Sequence, residues 1–259
     1  MKLRIMSPIM VLLALSALIA SAGEMPPRRR TLPPELITPD GSTMIWVPGC
    51  LFEIGDDNGP EDSRPRHETV VPTFYIDRYE VTNERYLKFC RETGHEYPAH
   101  LKKSKITERI KNLPVVNVTY GDADAYARWA RKQLPTEEEW ELAARGRKGN
   151  IYPWGNRFKP LAAIRRKTPL PVGSKKGDVG PHGVFDMAGN VMEWTRSYYK
   201  SYPGAEKRFK KKYNHRVVRG AHYKTRDAEQ CRLFVRKVFA KSTRSPLIGF
   251  RCVREIKYR

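Results

Sequence analysis

The sequence has few acidic residues: 28 Asp and Glu stand against 49 Lys and Arg, which gives a formal net charge of +21. This excess argues against cationic partners and favours anionic ones. Internal repeats of solenoid or propeller length are also absent, which argues against repeat architectures. The chain contains no phosphate-binding glycine loop, nucleophile elbow or recognisable acid–base pair, so several common enzyme classes have no support.

Long apolar runs are absent except for one at the N-terminus, between residues 9 and 19. The run follows a basic start and precedes Ala20 and Ala22, which is typical of a secretory signal peptide cleaved after Ala22. It is shorter than the roughly 20 residues that a membrane helix needs. We therefore expect a signal peptide at 1–22, export to the periplasm or beyond it, and no transmembrane segment after cleavage. An uncleaved N-terminal anchor is the alternative.

Export determines which anionic partners are available to this basic protein. A nucleic-acid partner would follow from such charge in a cytosolic protein, but an exported protein meets acidic proteins, anionic glycans and envelope polymers. We expect a partner of this second kind and no nucleic acid. The candidate partner-binding residues are Lys210, Lys211, Lys212, Arg226 and Arg232. A solvated surface without a specific partner is the alternative.

The chain divides into a leader and one domain. Residues 23–41 are rich in Pro and Arg and lack periodicity, so we predict a flexible leader after the signal peptide, followed by a single domain at 42–259. "STMIWVPGCLFEIG" alternates apolar residues about a Pro-Gly turn and predicts a hairpin. Capping signals at Thr82, Thr119 and Thr136 predict three helices, two of which have a capping-box acid three residues later. Few helices, short strands and long loops indicate an irregular α+β domain.

Seven segments occur in an order that resembles the formylglycine-generating enzyme superfamily, also called sulfatase-modifying factors. They are "MIWVPGCLFEIG", "RPRHETVVPTFYIDRYEVTNERYLKFC", "LPVVNVTYGDADAYARWARKQLPTEEEWELAARG", "YPWGN", "GVFDMAGNVMEWT", "RVVRGAHY" and "IGFRCV". The resemblance implies one α+β domain with a C-type-lectin-like variant fold, low in regular secondary structure. It does not imply the activity, because the superfamily includes copper oxidases, siderophore-maturation proteins and non-catalytic scaffolds.

The resemblance implies a structural calcium ion at "DMAGNVMEW". The ligands carry over to Asp186, Gly189, Val191 and Glu193, and carboxylates with backbone carbonyls are oxygen donors that calcium accepts. The alternative is a tight Gly-Asn turn with Glu193 paired to an arginine. A second ion in some relatives depends on a loop that is short and basic here, "KPLAAIRRKTPLPVGSKK", so we expect no second calcium.

The superfamily's oxidase chemistry requires two cysteine thiolates that bind Cu(I), a soft metal. In this sequence the corresponding segment, "RGAHYKTRDAEQCRLFVRKVF", contains Cys231 alone. We therefore expect no copper site and no formylglycine generation. His222, Cys231 and Arg236 are weak catalytic candidates for another reaction, and His215 with His222 and Cys231 is a weak candidate for a mixed copper or zinc site.

Disulfides are a further expectation, since an exported chain with four cysteines favours pairing. Three pairings are possible. We expect Cys231 to bond Cys252, on the hypothesis that "CRLFV" and "GFRCV" are antiparallel neighbours, and Cys50 to bond Cys90. For Cys90 a buried thiol is the alternative.

The tryptophans in "EEEW", "YPWGN" and "MEW" are predicted to lie in the core, and Arg219, Arg236 and Arg251 to pair with buried carboxylates such as Glu139 or Glu193. The leading hypothesis is an exported, non-catalytic binding domain with a basic groove. The alternatives are an exported oxidase or maturation factor that uses other groove residues, and an accessory protein of an envelope secretion or kinase complex.

Overall fold

The computed structural model describes residues 33–101, 106–207 and 212–256. The strands are β1 (Glu35–Ile37), β2 (Thr43–Val47), β3 (Cys50–Ile54), β4 (His67–Val71), β5 (Phe74–Asp77), β6 (Met192–Tyr199), β7 (Lys212–Arg219), β8 (Arg236–Ala240), β9 (Ile248–Gly249) and β10 (Val253–Glu255). The α-helices are α1 (Asn83–Thr93), α2 (Glu108–Lys111), α3 (Tyr120–Trp129) and α4 (Glu137–Arg145). Short 3-10 helices lie at Glu61–Ser63 and Ala228–Cys231. Within these residues, no helix has the length and apolar character that crossing a bilayer requires.

Three small sheets form the scaffold. One has the order β1-β2-β5-β10 and is antiparallel throughout. A second has the order β8-β7-β6-β9, in which β6 and β9 run parallel. The third is the two-stranded pair β3-β4. The long segment between α4 and β6 contains no helix or named strand, so the domain is the irregular α+β domain that we predict.

The three predicted helices are confirmed as α1, α3 and α4. Thr82 caps α1 by accepting a hydrogen bond from the Arg85 backbone N–H, and Gly94 ends that helix in the left-handed region. Thr119 and Thr136 begin α3 and α4 with complete capping boxes. These signals are local, because a side chain that bonds the first free backbone groups fixes a helix end without help from the rest of the fold.

The predicted hairpin about the Pro-Gly turn is wrong. β2 pairs with β1 and β5, whereas β3 pairs with β4, so the two strands that the turn joins belong to different sheets. Gly49 explains the change of direction. A Cβ there would lie 2.4 Å from the Thr73 backbone nitrogen, so the chain can cross the β4–β5 connection only because this residue has no side chain.

The folded part begins earlier than the predicted boundary at residue 42. β1 pairs with β2 along Glu35–Ile37, and the Trp46 N–H donates to the Pro34 carbonyl at 3.0 Å. Backbone hydrogen bonds order this stretch, and the side chains of Glu35 and Ile37 stay exposed. An edge strand of this kind needs no apolar periodicity, which explains why the sequence pattern does not reveal it. The predicted signal peptide at 1–22 lies outside the described residues.

Buried apolar residues form two main clusters. One contains Trp140 and the other Trp194, and both indole rings are fully buried as predicted, whereas Trp154 is half-buried at the margin of the first. Buried ion pairs connect the sheets to α4. Arg251 pairs with Glu193, but Glu139 pairs with Arg196 and not with a buried arginine. Arg219 and Arg236 both pair with Glu137, and Arg219 also pairs with Glu141.

Candidate anion-binding site

A basic pocket opens beside the segment that precedes β8. Its volume is about 810 Å³, and the residues that line it are Arg165, Arg166, Lys167, Lys224 and Arg226. They come from two loops that lie about 60 residues apart in the chain, and all five side chains are exposed. Among the described residues, the pocket lining therefore combines five formal positive charges with no acidic side chain.

Backbone hydrogen bonds hold the two loops together. The Arg165 N–H donates to the Thr225 carbonyl at 3.0 Å, and the Arg166 N–H donates to the Tyr223 carbonyl at 2.7 Å. Arg165 has a φ of 56°, which is uncommon for a residue with a side chain. Its guanidinium also donates to the Arg226 carbonyl through Nε at 3.2 Å and Nη2 at 3.0 Å. The pocket wall is thus fixed before any ligand arrives.

The charge of this pocket is uncompensated within the described residues, where none of the five cations lies within 4.0 Å of a carboxylate. The core arginines contrast with them: Arg219, Arg236 and Arg251 are all paired with glutamates. Grouped like charges repel, and an anion that enters between them gains attraction from several cations at once. The arrangement is therefore suited to a ligand with more than one negative charge.

The structure gives a separate result for each of the predicted partner-binding residues. Arg226 lines the pocket. Arg232 does not, because it pairs with Glu229 and contacts Tyr152. Lys210 and Lys211 lie outside the described residues, and for Lys212 only the backbone is described, at the start of β7. The pocket residues that the prediction missed are Arg165, Arg166, Lys167 and Lys224. The first three form the basic run "IRRK", and Lys224 lies two residues before Arg226 in the chain.

His222 and Cys231 lie in the same segment as the pocket but are poorly suited to catalysis. Burial, with Lys237 and Lys224 nearby, lowers the pKa of His222 to about 4, so the ring is neutral at pH 7. Its Nδ1 accepts a hydrogen bond from the Lys224 N–H at 3.2 Å. Burial, then Asp178, raises the pKa of Cys231 to about 12. Cys231 is therefore a protonated thiol and not the thiolate that nucleophilic attack or metal binding requires.

The third weak catalytic candidate, Arg236, is a structural residue. Its Nε and Nη2 bind the Glu137 carboxylate at 2.8 and 3.0 Å, and Nη1 donates to the Asp62 carbonyl at 2.6 Å. The side chain is buried, so its donors are not available to a substrate. The donors of Arg236 are therefore engaged in holding the fold together.

Two residues of the expected calcium site, Glu193 and Asp186, accept hydrogen bonds from protein donors. Both Glu193 oxygens bind the Arg251 guanidinium at 2.7 Å, and Oε2 also accepts from Trp140 Nε1 at 2.8 Å. Asp186 Oδ2 accepts from the Gly173 N–H at 2.6 Å. Over the described ranges, no group of three or more His, Cys, Asp or Glu side chains is placed to hold a metal ion. The alternative of a Gly-Asn turn with a Glu193–arginine pair describes the geometry at Glu193, and the calcium ion stays a prediction.

The expected disulfides are not formed in this structure, and all four cysteines are free thiols. The antiparallel neighbour relation behind the first pairing is wrong. β8, which follows Cys231, pairs with β7, whereas β10, which follows Cys252, pairs with β5. Cys50 packs against the first apolar cluster, and Cys90 lies in the second. The alternative of a buried thiol thus describes Cys90.

Thiol labelling tests this arrangement. We expect four reactive thiols per chain when the protein is unfolded in guanidinium without reductant. In the native protein we expect slow labelling at Cys90, Cys231 and Cys252, because these three thiols are buried and their pKa values are raised. Mass spectrometry after maleimide treatment measures both. A count of two or zero in the unfolded protein would show that disulfides form.

The domain is similar to known proteins. A model of the family called sulfatase-modifying factor enzyme 1-like domain matches residues 30–256. The chain belongs to this family. A bovine (Bos taurus) protein called inactive C-alpha-formylglycine-generating enzyme 2 is 32% identical to it over 270 residues, covering 81% of this chain and 87% of the bovine protein. The formylglycine-generating enzyme of Streptomyces coelicolor is 31% identical over 284 residues, covering 82% and 88%.

A solved structure supports the fold of this sulfatase-modifying factor domain. PvdO from Pseudomonas aeruginosa superimposes with a TM-score of 0.70 at 24% identity, covering 87% of this chain and all of PvdO. The family and its C-type-lectin-like α+β fold are therefore confirmed. Because one relative is named an enzyme and another an inactive one, family membership leaves the activity to be argued from the site.

Proposed function

We propose that this sulfatase-modifying factor domain is an exported binding protein that holds an anionic partner in its basic pocket and carries out no copper-dependent oxidation. The supporting observation is the pocket itself, where five cations with no carboxylate partner among the residues that the structure describes surround about 810 Å³. The partner is an acidic protein or an anionic glycan of the cell envelope. The single, buried and protonated Cys231 supports the absence of oxidation, since Cu(I) takes two thiolates.

A charge-reversal experiment tests the proposal. Lys224→Glu with Arg226→Glu is expected to weaken binding of a heparin oligosaccharide and of poly-glutamate by about tenfold or more, because attraction becomes repulsion at the pocket. Raising the salt concentration is expected to weaken wild-type binding to the same probes, since exposed charges are screened. Fluorescence anisotropy with labelled probes measures both effects.

Two helix residues supply the matched control. Lys88→Glu with Arg91→Glu changes the net charge by the same amount on α1, whose residues are not among those that line the pocket, and is expected to alter binding much less. Equal losses in both variants, or binding that ignores salt, would contradict a pocket-specific role. Metal analysis is the second check, and stoichiometric copper that disappears in Cys231→Ser would overturn the non-catalytic proposal.

A further inference from the structure

Beside the basic pocket lies a group of aromatic rings, which we call the aromatic shelf: Tyr152, Trp154 and Phe158. We propose that the ligand is a glycan that carries sulfate or phosphate groups, with a sugar ring on the shelf and its anionic groups in the pocket. This inference rests on the proposed anion-binding function and names the chemistry of its ligand.

The shelf is built in layers. Tyr152 is buried and stacks parallel to Trp154, with ring centroids 5.6 Å apart and an interplanar angle of 3°. Phe158 meets Tyr152 edge to face at 5.6 Å and is 37% exposed. Trp154 Nε1 donates to the Arg157 carbonyl at 3.0 Å, which fixes the indole. These contacts hold the three rings in place, so the exposed part of the shelf offers an apolar face to a ligand.

The segments that carry the shelf and the pocket run side by side. The loop at 151–166 runs antiparallel to the segment at 223–233: its Arg165 binds Thr225 at the pocket end, and its Ile151 carbonyl accepts from the Leu233 N–H at 2.9 Å at the other end. The six residue-to-residue steps from Arg226 to Arg232 span at most about 21 Å even if fully extended. A short oligosaccharide can therefore reach from one end to the other.

Aromatic faces and basic groups together match the two kinds of surface on an anionic glycan. The C–H face of a pyranose ring is apolar and slightly positive, so it packs on an aromatic face, which is slightly negative. Sulfate and phosphate oxygens accept the forked N–H groups of arginine, which Arg166 and Arg226 present beside Lys167 and Lys224. An acidic peptide would use the pocket but would give the shelf no role.

The carboxylates between shelf and pocket argue for a glycan over a nucleic acid. Asp227 and Glu229 are exposed on the 3-10 turn that joins the two ends. A nucleic acid carries a phosphate at every unit, so its backbone would lie against these carboxylates. Sugar hydroxyls can instead donate hydrogen bonds to them. Sparse anionic groups on a hydroxyl-rich chain fit the whole surface.

The test compares probes on the full-length protein. The probes are a sulfated oligosaccharide, its phosphorylated form, linear polyphosphate and single-stranded oligothymidylate of similar charge. We expect at least one of the two charged oligosaccharides to bind more tightly than polyphosphate and oligothymidylate. Whichever oligosaccharide binds more tightly, the sulfated or the phosphorylated one, identifies the anionic group of the ligand. Phe158→Ala is expected to weaken oligosaccharide binding by about three- to tenfold, as loss of a ring contact does, and to leave polyphosphate binding unchanged.

The outcomes separate this inference from the proposed function. If Phe158→Ala leaves oligosaccharide binding unchanged, or if oligothymidylate binds best, the glycan assignment is overturned while anion binding stands. If no probe binds in a salt-dependent manner, the proposed function itself fails. Trp154→Ala is a second variant. If Trp154→Ala does not fold, Phe158→Ala still decides the test, because the Phe158 ring is exposed and its removal is compatible with folding.

Discussion

Replacing Glu141 by leucine is expected to lower the free energy of unfolding by about 3–5 kcal/mol, because it leaves buried arginines without their counter-charge. Glu141 is fully buried on α4. Its Oε1 accepts from Arg145 Nη1 at 2.5 Å and from the Gly55 N–H at 2.9 Å, and its Oε2 pairs with Arg219. One carboxylate thus ties α4 to β7 and to the residue after β3.

The arginines cannot find equal partners elsewhere. In the variant, Arg219 would keep Glu137 at 3.4 Å and the Leu233 carbonyl at 2.7 Å. Arg145 would keep carbonyl groups and Asp56 at 3.8 Å. Two guanidinium groups would then share fewer negative charges inside the fold, and a buried charge without compensation is costly.

The neighbouring Glu138 supplies a matched control on the same helix. It is half-exposed, and in the part of the chain that the structure describes it has no ion-pair partner, so Glu138→Leu is expected to change stability by about 0.5 kcal/mol or less. Glu141→Gln keeps an acceptor for Gly55 and should fall between the two, which gives a measurable value if Glu141→Leu does not fold. Urea unfolding measures all three. A Glu141→Leu variant within 1 kcal/mol of wild type, roughly the size of an ordinary surface pair, would show that the network is dispensable.

This network also shows what the sequence can and cannot predict. The α4 helix was predictable, because Thr136 and Glu139 form its capping box within four residues. The buried pairing of Arg219 was predictable in kind, since a guanidinium inside a loop-rich domain needs a carboxylate. Its partners were not, because they lie 78 and 82 residues away and meet Arg219 only after the sheets and helices pack.

The basic pocket, too, was predictable only in its local part. Arg226 was identified within a short basic segment, but Arg165 comes from a loop 61 residues earlier. Two backbone hydrogen bonds between loops decide that they face each other, and such bonds leave no pattern in the sequence. Glu193 has the residue type of a calcium ligand, but Arg251, 58 residues away in the chain, binds both of its oxygens.

The second large effect concerns a buried group of carboxyls near Arg251, and it depends on pH. Glu80, Asp178, Asp186 and Glu193 are all buried. Burial, then the negative charge of Asp186, raises the pKa values of Glu80 and Asp178 well above their ordinary range. Glu80 and Asp186 lie within hydrogen-bonding reach of each other, which needs a proton between two acceptors. The folded protein therefore holds protons here at pH values where an unfolded chain has released them.

The sign of the pH effect follows from that difference. Below the ordinary pKa of an Asp, folded and unfolded chains both keep the proton, and the group contributes no pH dependence. Above it, the unfolded chain ionises and the folded chain does not, so stability falls by about 1.4 kcal/mol per pH unit for each such group until the folded-state pKa is reached. The wild-type protein thus loses stability through Glu80 and Asp178 as the pH rises above the ordinary carboxyl pKa values towards the raised pKa values of the folded state.

Asp178→Asn isolates one of these protons. The Asp178 Oδ1 accepts from the Ala188 N–H at 3.2 Å, and Oδ2 has no hydrogen-bond partner among the described residues. An amide keeps the first contact and cannot ionise. We expect the stability of Asp178→Asn relative to wild type to rise with pH, by up to about 3 kcal/mol between about pH 5 and pH 7. Urea unfolding at several pH values measures this difference.

A second buried variant and an exposed one complete the experiment. Glu80→Gln should show the same trend, because its Oε1 keeps the bond from Asn190 Nδ2 at 3.0 Å while the proton-holding oxygen is replaced. Asp57→Asn changes an exposed carboxyl beside Arg66 and reports the effect of the substitution without burial. A difference between Asp178→Asn and wild type that stays flat with pH would show that Asp178 is ionised in the fold. Its charge would then need a compensating cation beyond Arg251, which already binds both oxygens of Glu193.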